Sequence, residues 1–422
     1  MNKKLGLAVA GALAAFATSA NAGISIPAGD WTVDIGGNVN AYYIHNNSSD
    51  SNSVAGGLAN GKGINGSSAS SINTGLLPSW LTIGAKTRQN DLDVAWAISF
   101  QPGASSAHSL QGGGGSEYRQ AYMTIGDASW GSIKAGKDLG VFGSDAILND
   151  ITLLGVGSQG VVGATGGTTT TLGGIGSGYM YADFVGQINY TTPNWSGFQA
   201  TVGIEQPWHS VNLAGNKNAA DMLLNPSLAA DPFSASVSGN QKSPAFSGKA
   251  SYSFSANDVT GKVWAEFKTQ KADGISTGVT GVYNSEQATV YGVGATASMA
   301  GFGLTGYYYS GEGAGTTAFL ADGFDADGHK RNSDGGYVQA TFTVPGVGTK
   351  LGVAYGISSL DMNADETDSH LVKDNERWTV GAYHPLTKSV NLVAEYNRIE
   401  STNHLNESNK SDIVSAGAIL FF

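Results

Sequence analysis

The chain contains no cysteine in 422 residues. That absence excludes disulfide scaffolds, Cys-ligated zinc, iron–sulfur clusters and thiol nucleophiles. Charge is scarce too: charged residues make up 13% of the chain, against roughly 25% in an ordinary soluble domain. The balance is acidic, 22 Lys+Arg against 33 Asp+Glu, a net charge of −11. No basic face is left for a nucleic-acid partner, whose phosphates demand one. Long apolar runs are missing as well. After residue 22 no stretch reaches the roughly 20 residues that a spanning helix needs, so a helical membrane protein is excluded. What the chain has in surplus is glycine, 61 residues. Length alone would suggest two or three domains, but the patterning below points elsewhere.

Residues 1–22 have the three parts of a secretory signal peptide. Lys3 and Lys4 give a positive start, Leu5 to Ala17 is apolar, and Ala20-Asn21-Ala22 supplies small residues for cleavage near Ala22. A membrane anchor is the competing reading, but the apolar run is too short to span. Loss of the two lysines takes the net charge from −11 to −13. Two classes survive: a secreted soluble β protein, or a closed β-barrel in an outer membrane.

Alternation at period two, taken with the lengths of the connections, decides between them. Leu92, Val94, Trp96, Ile98 and Phe100 alternate with Asp91, Asp93, Ala95, Ala97 and Ser99. Val263, Ala265 and Phe267 alternate with Lys262, Trp264, Glu266 and Lys268. One face is apolar throughout and the other polar or small, in segments of the roughly ten residues that a tilted spanning strand needs. Strands are expected at 31–44, 78–88, 91–101, 117–126, 130–138, 182–192, 196–205, 244–256, 259–269, 288–299, 302–311, 334–344, 348–359, 374–385, 389–401 and 410–422. Sixteen is an even number, as an antiparallel barrel closed from one chain requires.

The connections sort by length. Tight turns such as Gln89-Asn90, Asn257-Asp258 and Ala300-Gly301 alternate with long segments at 45–77, 102–116, 139–181, 206–243, 270–287, 312–333, 360–373 and 402–409. Short turns at one rim and long loops at the other is the outer-membrane arrangement. Aromatics gather near strand ends (Tyr43, Trp80, Trp130, Tyr190, Trp195, Tyr308, Trp378), at headgroup level. Closure leaves no strand edge to satisfy in lipid. The fold class is therefore all-β: one transmembrane antiparallel barrel over 23–422, whose small inward residues leave a water-filled lumen.

Three stretches carry a family resemblance. They are the strand beginning at Trp31 behind the signal peptide, the run Tyr118-Arg119-Gln120-Ala121-Tyr122 through Trp130 to Lys137, and the terminal Phe422. With them the sequence resembles the Gram-negative trimeric general porins. The resemblance implies a homotrimer amid outer-membrane lipid and lipopolysaccharide, and passive diffusion of small solutes and ions. It also implies that the third long connection, near 139–181, folds inward and sets loop acids against a basic wall. Carried onto this chain, the wall residues are Arg119, Lys134 and Lys137, with Lys86 and Arg88 as further bases, and the loop acids are Asp145 and Asp150. Strand parity points Lys134 inward, while Arg119 and Lys137 need a bulge or a strand end to do so. The proline–glutamate–phenylalanine–glycine segment of many enteric porins is absent, and Gly155 to Gly178 is a neutral Gly/Thr tract instead.

Motifs for chemistry are thin. Seven histidines are scattered without ligand spacing. His108-Ser109 and His209-Ser210 are the nearest to an esterase constellation, and both fall in loops. The acidic runs Asp322 to Gly328 and Asp361 to Glu366 lack the spacing of a calcium loop to its closing glutamate. Neither a cofactor nor a metal is expected. The leading reading is a porin and not an enzyme; a substrate-specific channel and an outer-membrane enzyme are its rivals. Acidic outer loops should enrich cations at the mouth.

Overall fold

The computed structural model describes residues 23–62, 67–104, 116–159, 170–209, 212–214, 234–277, 279, 281–366 and 369–422. Residues 1–22, His108-Ser109, Gly112 to Gly115 and Ser210 lie outside them.

Eighteen strands follow in order: β1 (Ile24–Ala28), β2 (Trp31–Ser49), β3 (Ser68–Asn73), β4 (Trp80–Gln89), β5 (Leu92–Pro102), β6 (Ser116–Asp127), β7 (Gly131–Leu139), β8 (Phe184–Thr191), β9 (Phe198–Glu205), β10 (Ala245–Ala256), β11 (Val259–Ser276), β12 (Tyr283–Met299), β13 (Phe302–Glu312), β14 (Asn332–Thr343), β15 (Lys350–Leu360), β16 (Val372–Pro385), β17 (Val390–Asn403) and β18 (Ser408–Phe421). Sixteen of them form the wall, each antiparallel to the next, and β18 returns to β2 from Lys410↔Ser49 to Phe421↔Asn38. The seam then changes partner. Phe422 exchanges backbone hydrogen bonds with Gly37 at 2.9 and 3.0 Å, and β1 takes over beside β2 from Ile24↔Ile35 to Ala28↔Trp31. The two ends of the chain thus share one place in the wall.

All sixteen expected strands are present. β1 and β3 were not foreseen, because the alternation of Ile24 and Ile26 in β1 is too short to register and the serine-rich Ser-Ala-Ser-Ser-Ile-Asn segment of β3 carries almost none. β11 and β12 run further toward the long-loop side than expected, through Gln270, Lys271 and Asp273. Those residues give no lipid-facing signal, so periodicity alone ended the strand early.

Outward positions such as Val39, Ile188, Val202, Val293, Leu304 and Val380 are large, apolar and exposed. This is the pattern of a wall solvated by hydrocarbon. The inward face departs from expectation. Small inward residues do not simply leave space: the indole of Trp264 lies on Gly294, its partner on β12, and Tyr42 lies on Gly417 of β18. A side chain at either glycine would collide with its neighbour's ring. Trp264, Tyr307, Tyr309 and Tyr337 build an aromatic core inside the barrel, joined by Phe142, Ile147 and Tyr179 from the segment between β7 and β8.

Candidate functional site

That segment, residues 140–183, is drawn together at its base by Gly140 N–H donating to the Asp183 carbonyl at 2.8 Å. Gly143, at φ 78°, turns the chain into a short helix, α1 (Ser144–Asn149). Asp150 then caps a 3₁₀ turn over Ile151–Leu154, accepting from Thr152 N–H at 3.0 Å.

Its polar groups are met by inward side chains from around the wall. Glu266 of β11 accepts from Gly143 N–H at 3.0 Å, and Glu395 of β17 accepts from Val156 and Gly157 N–H, both at 2.9 Å. Gln339 of β14 accepts from Ile151 N–H at 2.8 Å and donates to the Asn149 carbonyl at 2.6 Å. The hydroxyls of Tyr337 and Tyr42 donate to the Ala146 and Leu154 carbonyls at 2.8 and 2.6 Å. Backbone groups that would otherwise be orphaned are satisfied, so the segment is seated by strands on several sides.

Asp145 and Asp150 of the segment form ion pairs with the wall. Asp145 lies between Lys249 of β10 at 2.7 Å and Lys262 of β11 at 2.5 Å. Burial alone would raise its carboxyl; the two ammonium groups hold it below the ordinary value. Asp150 meets Arg377 of β16 at 3.3 Å and accepts from the Tyr179 hydroxyl at 2.7 Å. Burial, with Asp150 beside it, drives the Tyr179 phenol well above its usual range.

The expected wall bases are distributed differently. Lys134 points inward, pairs with Asp138 on its own strand and lies over the Tyr122 ring at 5.0 Å. Arg119 reaches the interior because β6 is bulged: Tyr118 and Arg119 both stand opposite Phe100. There it is buried, pairs with Glu117 at 2.7 Å and lies over the Phe184 ring at 5.4 Å. Lys137 is on the outer face, donating to the Tyr118 carbonyl at 2.8 Å. Pairing of Tyr122 with Gly136 puts those two inward and leaves Lys137 with Ala121 on the outside, so the strand does not bring it to the lumen. Lys86 and Arg88 face inward near the tight turns and pair with Asp34 at 2.7 Å, and with Asp93 and Asp127 at 2.8 and 2.9 Å. Asp145 and Asp150 therefore meet bases from β10, β11 and β16, while Arg119 reaches the segment by donating to the Tyr181 hydroxyl at 3.4 Å.

Lys249, Lys262, Glu266, Arg377 and Glu395 were not singled out from sequence. A signal existed for each: an ionisable side chain at an inward parity position in mid-strand is costly and marks a site. Around the segment the wall strands carry buried inward residues, among them Thr82, Ser99, Asn189, Thr305, Ala354 and Ile413. Among the described residues no group of histidine and acidic side chains could hold a metal ion.

Comparison with known proteins follows the same lines. The family model described as Gram-negative porin matches residues 8–404. No curated protein matches the sequence. Among solved structures, the outer membrane channel DcaP of Acinetobacter baumannii is similar at 15% identity and TM-score 0.65, over 95% of this chain and 100% of that one. The anion-selective porin from Comamonas acidovorans is similar at 14% identity and TM-score 0.59, over 93% and 100%. OmpF of Salmonella typhi, in complex with daunomycin, is similar at 14% and 0.55, over 94% and 100%. These structural likenesses speak for the fold; the family match spans most of the chain and agrees with the closed wall. The chain belongs to the Gram-negative porins, channels for diffusion across the outer membrane.

Proposed function

We propose that the channel passes small hydrophilic solutes and ions passively, without acting as an enzyme, through a constriction formed where residues 140–183 seat against the wall. The observation that carries this reading is the seat itself. Asp145 between Lys249 and Lys262, and Asp150 against Arg377, tie the segment to the inner wall. Lys134 and Arg119 complete the charged lining, Lys86 and Arg88 line the approach from the tight turns, and Lys137 takes no part. Exposed Asp327, Asp361 and Asp365 enrich cations at the long-loop mouth. Residues 1–22 act as the signal peptide, cleaved near Ala22. The test is single-channel recording from detergent-extracted protein in planar bilayers. Stepwise conductance that rises linearly with salt supports free diffusion, and no conductance overturns the reading.

A substrate-specific channel is the second reading, favoured by the buried ion pairs that seat the segment against β10, β11 and β16. Conductance that saturates with, and is blocked by, one solute class would select it.

The homotrimer is part of the same proposal. Outward positions on β2 to β6, among them Val39, Tyr43, Ile72, Ile98, Tyr118 and Met123, are exposed, apolar and free of charge. The loop-side ends of β14 to β18 instead turn Asp334, Glu376, Arg398, Lys410 and Asp412 outward. The uncharged sector suits a second copy, and the charged sector suits lipid headgroups. Because the chain has no cysteine, Ile72→Cys gives a single thiol. Crosslinking to the protomer's neighbour at Ile72→Cys, and not at Val380→Cys, is the expected result; the reverse would overturn the assignment.

A further inference from the structure

The charged partners of the constriction are unequally placed. Lys134, Lys249 and Lys262 have side chains 24%, 19% and 29% exposed, whereas Asp138 and Asp145 are 1% and 8% exposed. The acids lie behind the ammonium groups. Glu266, the other acid beside Lys249, is also buried. Lys134 and Lys262 are each the fourth residue of a strand that starts at a tight turn, so these lysines face the vestibule on the tight-turn side. Lys350, the first residue of β15, joins them over the Tyr383 ring. Nearer that rim, Asp34, Asp93 and Asp127 are paired with Lys86 and Arg88, and exposed Asp30, Asp91 and Asp258 lie at the turns themselves, beyond the lysines.

The other mouth has the opposite sign. Asp327, Asp361 and Asp365 are exposed there, while the neighbouring bases Lys330 and Arg331 are engaged by Glu312 and Glu366. Two zones of opposite charge thus stand in series on either side of the seated segment.

We infer that the channel rectifies: its acidic mouth and its ammonium-lined vestibule make current depend on the polarity of the voltage. The inference rests on the channel reading proposed above. Cations concentrate at the mouth and anions in the vestibule. With the long-loop side positive, cations enter from the mouth and anions from the vestibule, and both accumulate at the constriction. With the polarity reversed, both are drawn out of it and the constriction is depleted. Conductance is therefore higher when the long-loop side is positive.

The experiment is a current–voltage record on single oriented channels in symmetric potassium chloride. Orientation is fixed by Asp365→Cys, labelled from one side with a membrane-impermeant neutral thiol reagent. At about 0.1 M salt, where charges are felt over about 10 Å, the expected ratio of currents at opposite polarity is on the order of twofold; at about 1 M, with screening over about 3 Å, it falls to unity. Lys249→Met with Lys262→Met abolishes the ratio, the Lys249→Arg and Lys262→Arg pair retains it, and Asp145→Asn increases it. An ohmic channel at low salt, a larger current at the opposite polarity, or a ratio untouched by the methionine pair would each overturn the inference. Complete absence of channel steps would instead overturn the channel reading itself.

Discussion

Arg377→Met tests the seat of the inner segment most directly. The Arg377 and Asp150 side chains are both fully buried, and Arg377 Nη2 approaches the two carboxylate oxygens at 3.3 and 3.5 Å. Nη1 adds the hydroxyls of Thr379 and Thr152 at 3.1 and 3.4 Å. Methionine fills similar volume but leaves Asp150 as a buried charge with only the Tyr179 hydroxyl and the Thr152 amide to stabilise it. Breaking a buried pair from one side costs about 3–5 kcal/mol. At the lower figure the ratio of seated to released segment falls about 150-fold, since about 1.4 kcal/mol is tenfold. The wall should survive, because β16 keeps its ladders to β15 and β17. The expected record is therefore an intact, heat-modifiable barrel whose open level becomes noisy and larger, with protease cutting near residues 150–156. Adding Asp150→Asn removes the stranded charge, and the double variant should recover most of the loss. A quiet Arg377→Met channel with unaltered protease resistance would refute the argument, as would a double variant worse than both single variants.

Replacing Gly294 by valine puts a branched side chain where the Trp264 ring lies, and should cost about 1–3 kcal/mol of overpacking, read as a lower urea midpoint in detergent. Lys137→Ala should leave the reversal potential in a salt gradient unchanged, whereas Lys134→Ala should shift it toward cations; equal shifts would place Lys137 in the lumen. The Asp145 latch fixes a pH dependence. Its carboxyl is held below the ordinary value in the folded state, so its stabilisation is present above the unfolded carboxylate pKa and is lost as pH falls through the depressed one. Open-level noise should stay flat from neutral pH to about pH 4 and grow only below it, and Asp145→Asn should remove that dependence. Noise that rises near pH 6 would assign the latch to a different group.

The wall was legible because hydrocarbon imposes one rule on every strand. Leu81, Ile83, Val353 and Leu420 had to alternate with polar or small neighbours, and tight turns such as Gln89-Asn90 and Asn257-Asp258 fixed the phase of each hairpin. Rules of that kind weaken where lipid stops. β3 lies beside the loop-side half of β2, from Tyr42↔Asn73 to Asn47↔Ser68, and nothing there demanded apolar residues. Interior placement was legible only by parity. Parity gave Lys134 its correct face and put Lys137 on the outside. It left Arg119 undecided, because a single extra residue opposite Phe100 reverses the phase and such a bulge has no unique sequence signature. Partnership was harder still. That Asp145 meets Lys249 and Lys262 depends on the path of residues 140–183 across the barrel. A period-two pattern on β10 and β11 carries no information about that path.

Net charge is correspondingly a poor guide to what this channel prefers. The chain carries −11, yet the lining at the constriction offers water more lysine than carboxylate. Each buried acid has done its work on a backbone amide or an ammonium group: Glu395 on Val156 and Gly157, Glu266 on Gly143, Asp145 on two lysines. An acid buried behind its ammonium partner attracts a passing cation less than the partner attracts an anion, because the ammonium group is the member nearer to water. Selectivity must then follow which member of each pair is exposed, not how many charges of each sign the sequence contains. Exchanging Asp145 and Lys262 conserves the total charge, so an unchanged reversal potential is what a count of charges requires. The structure requires the opposite: the exposed member of the pair changes sign, and the preference moves toward cations.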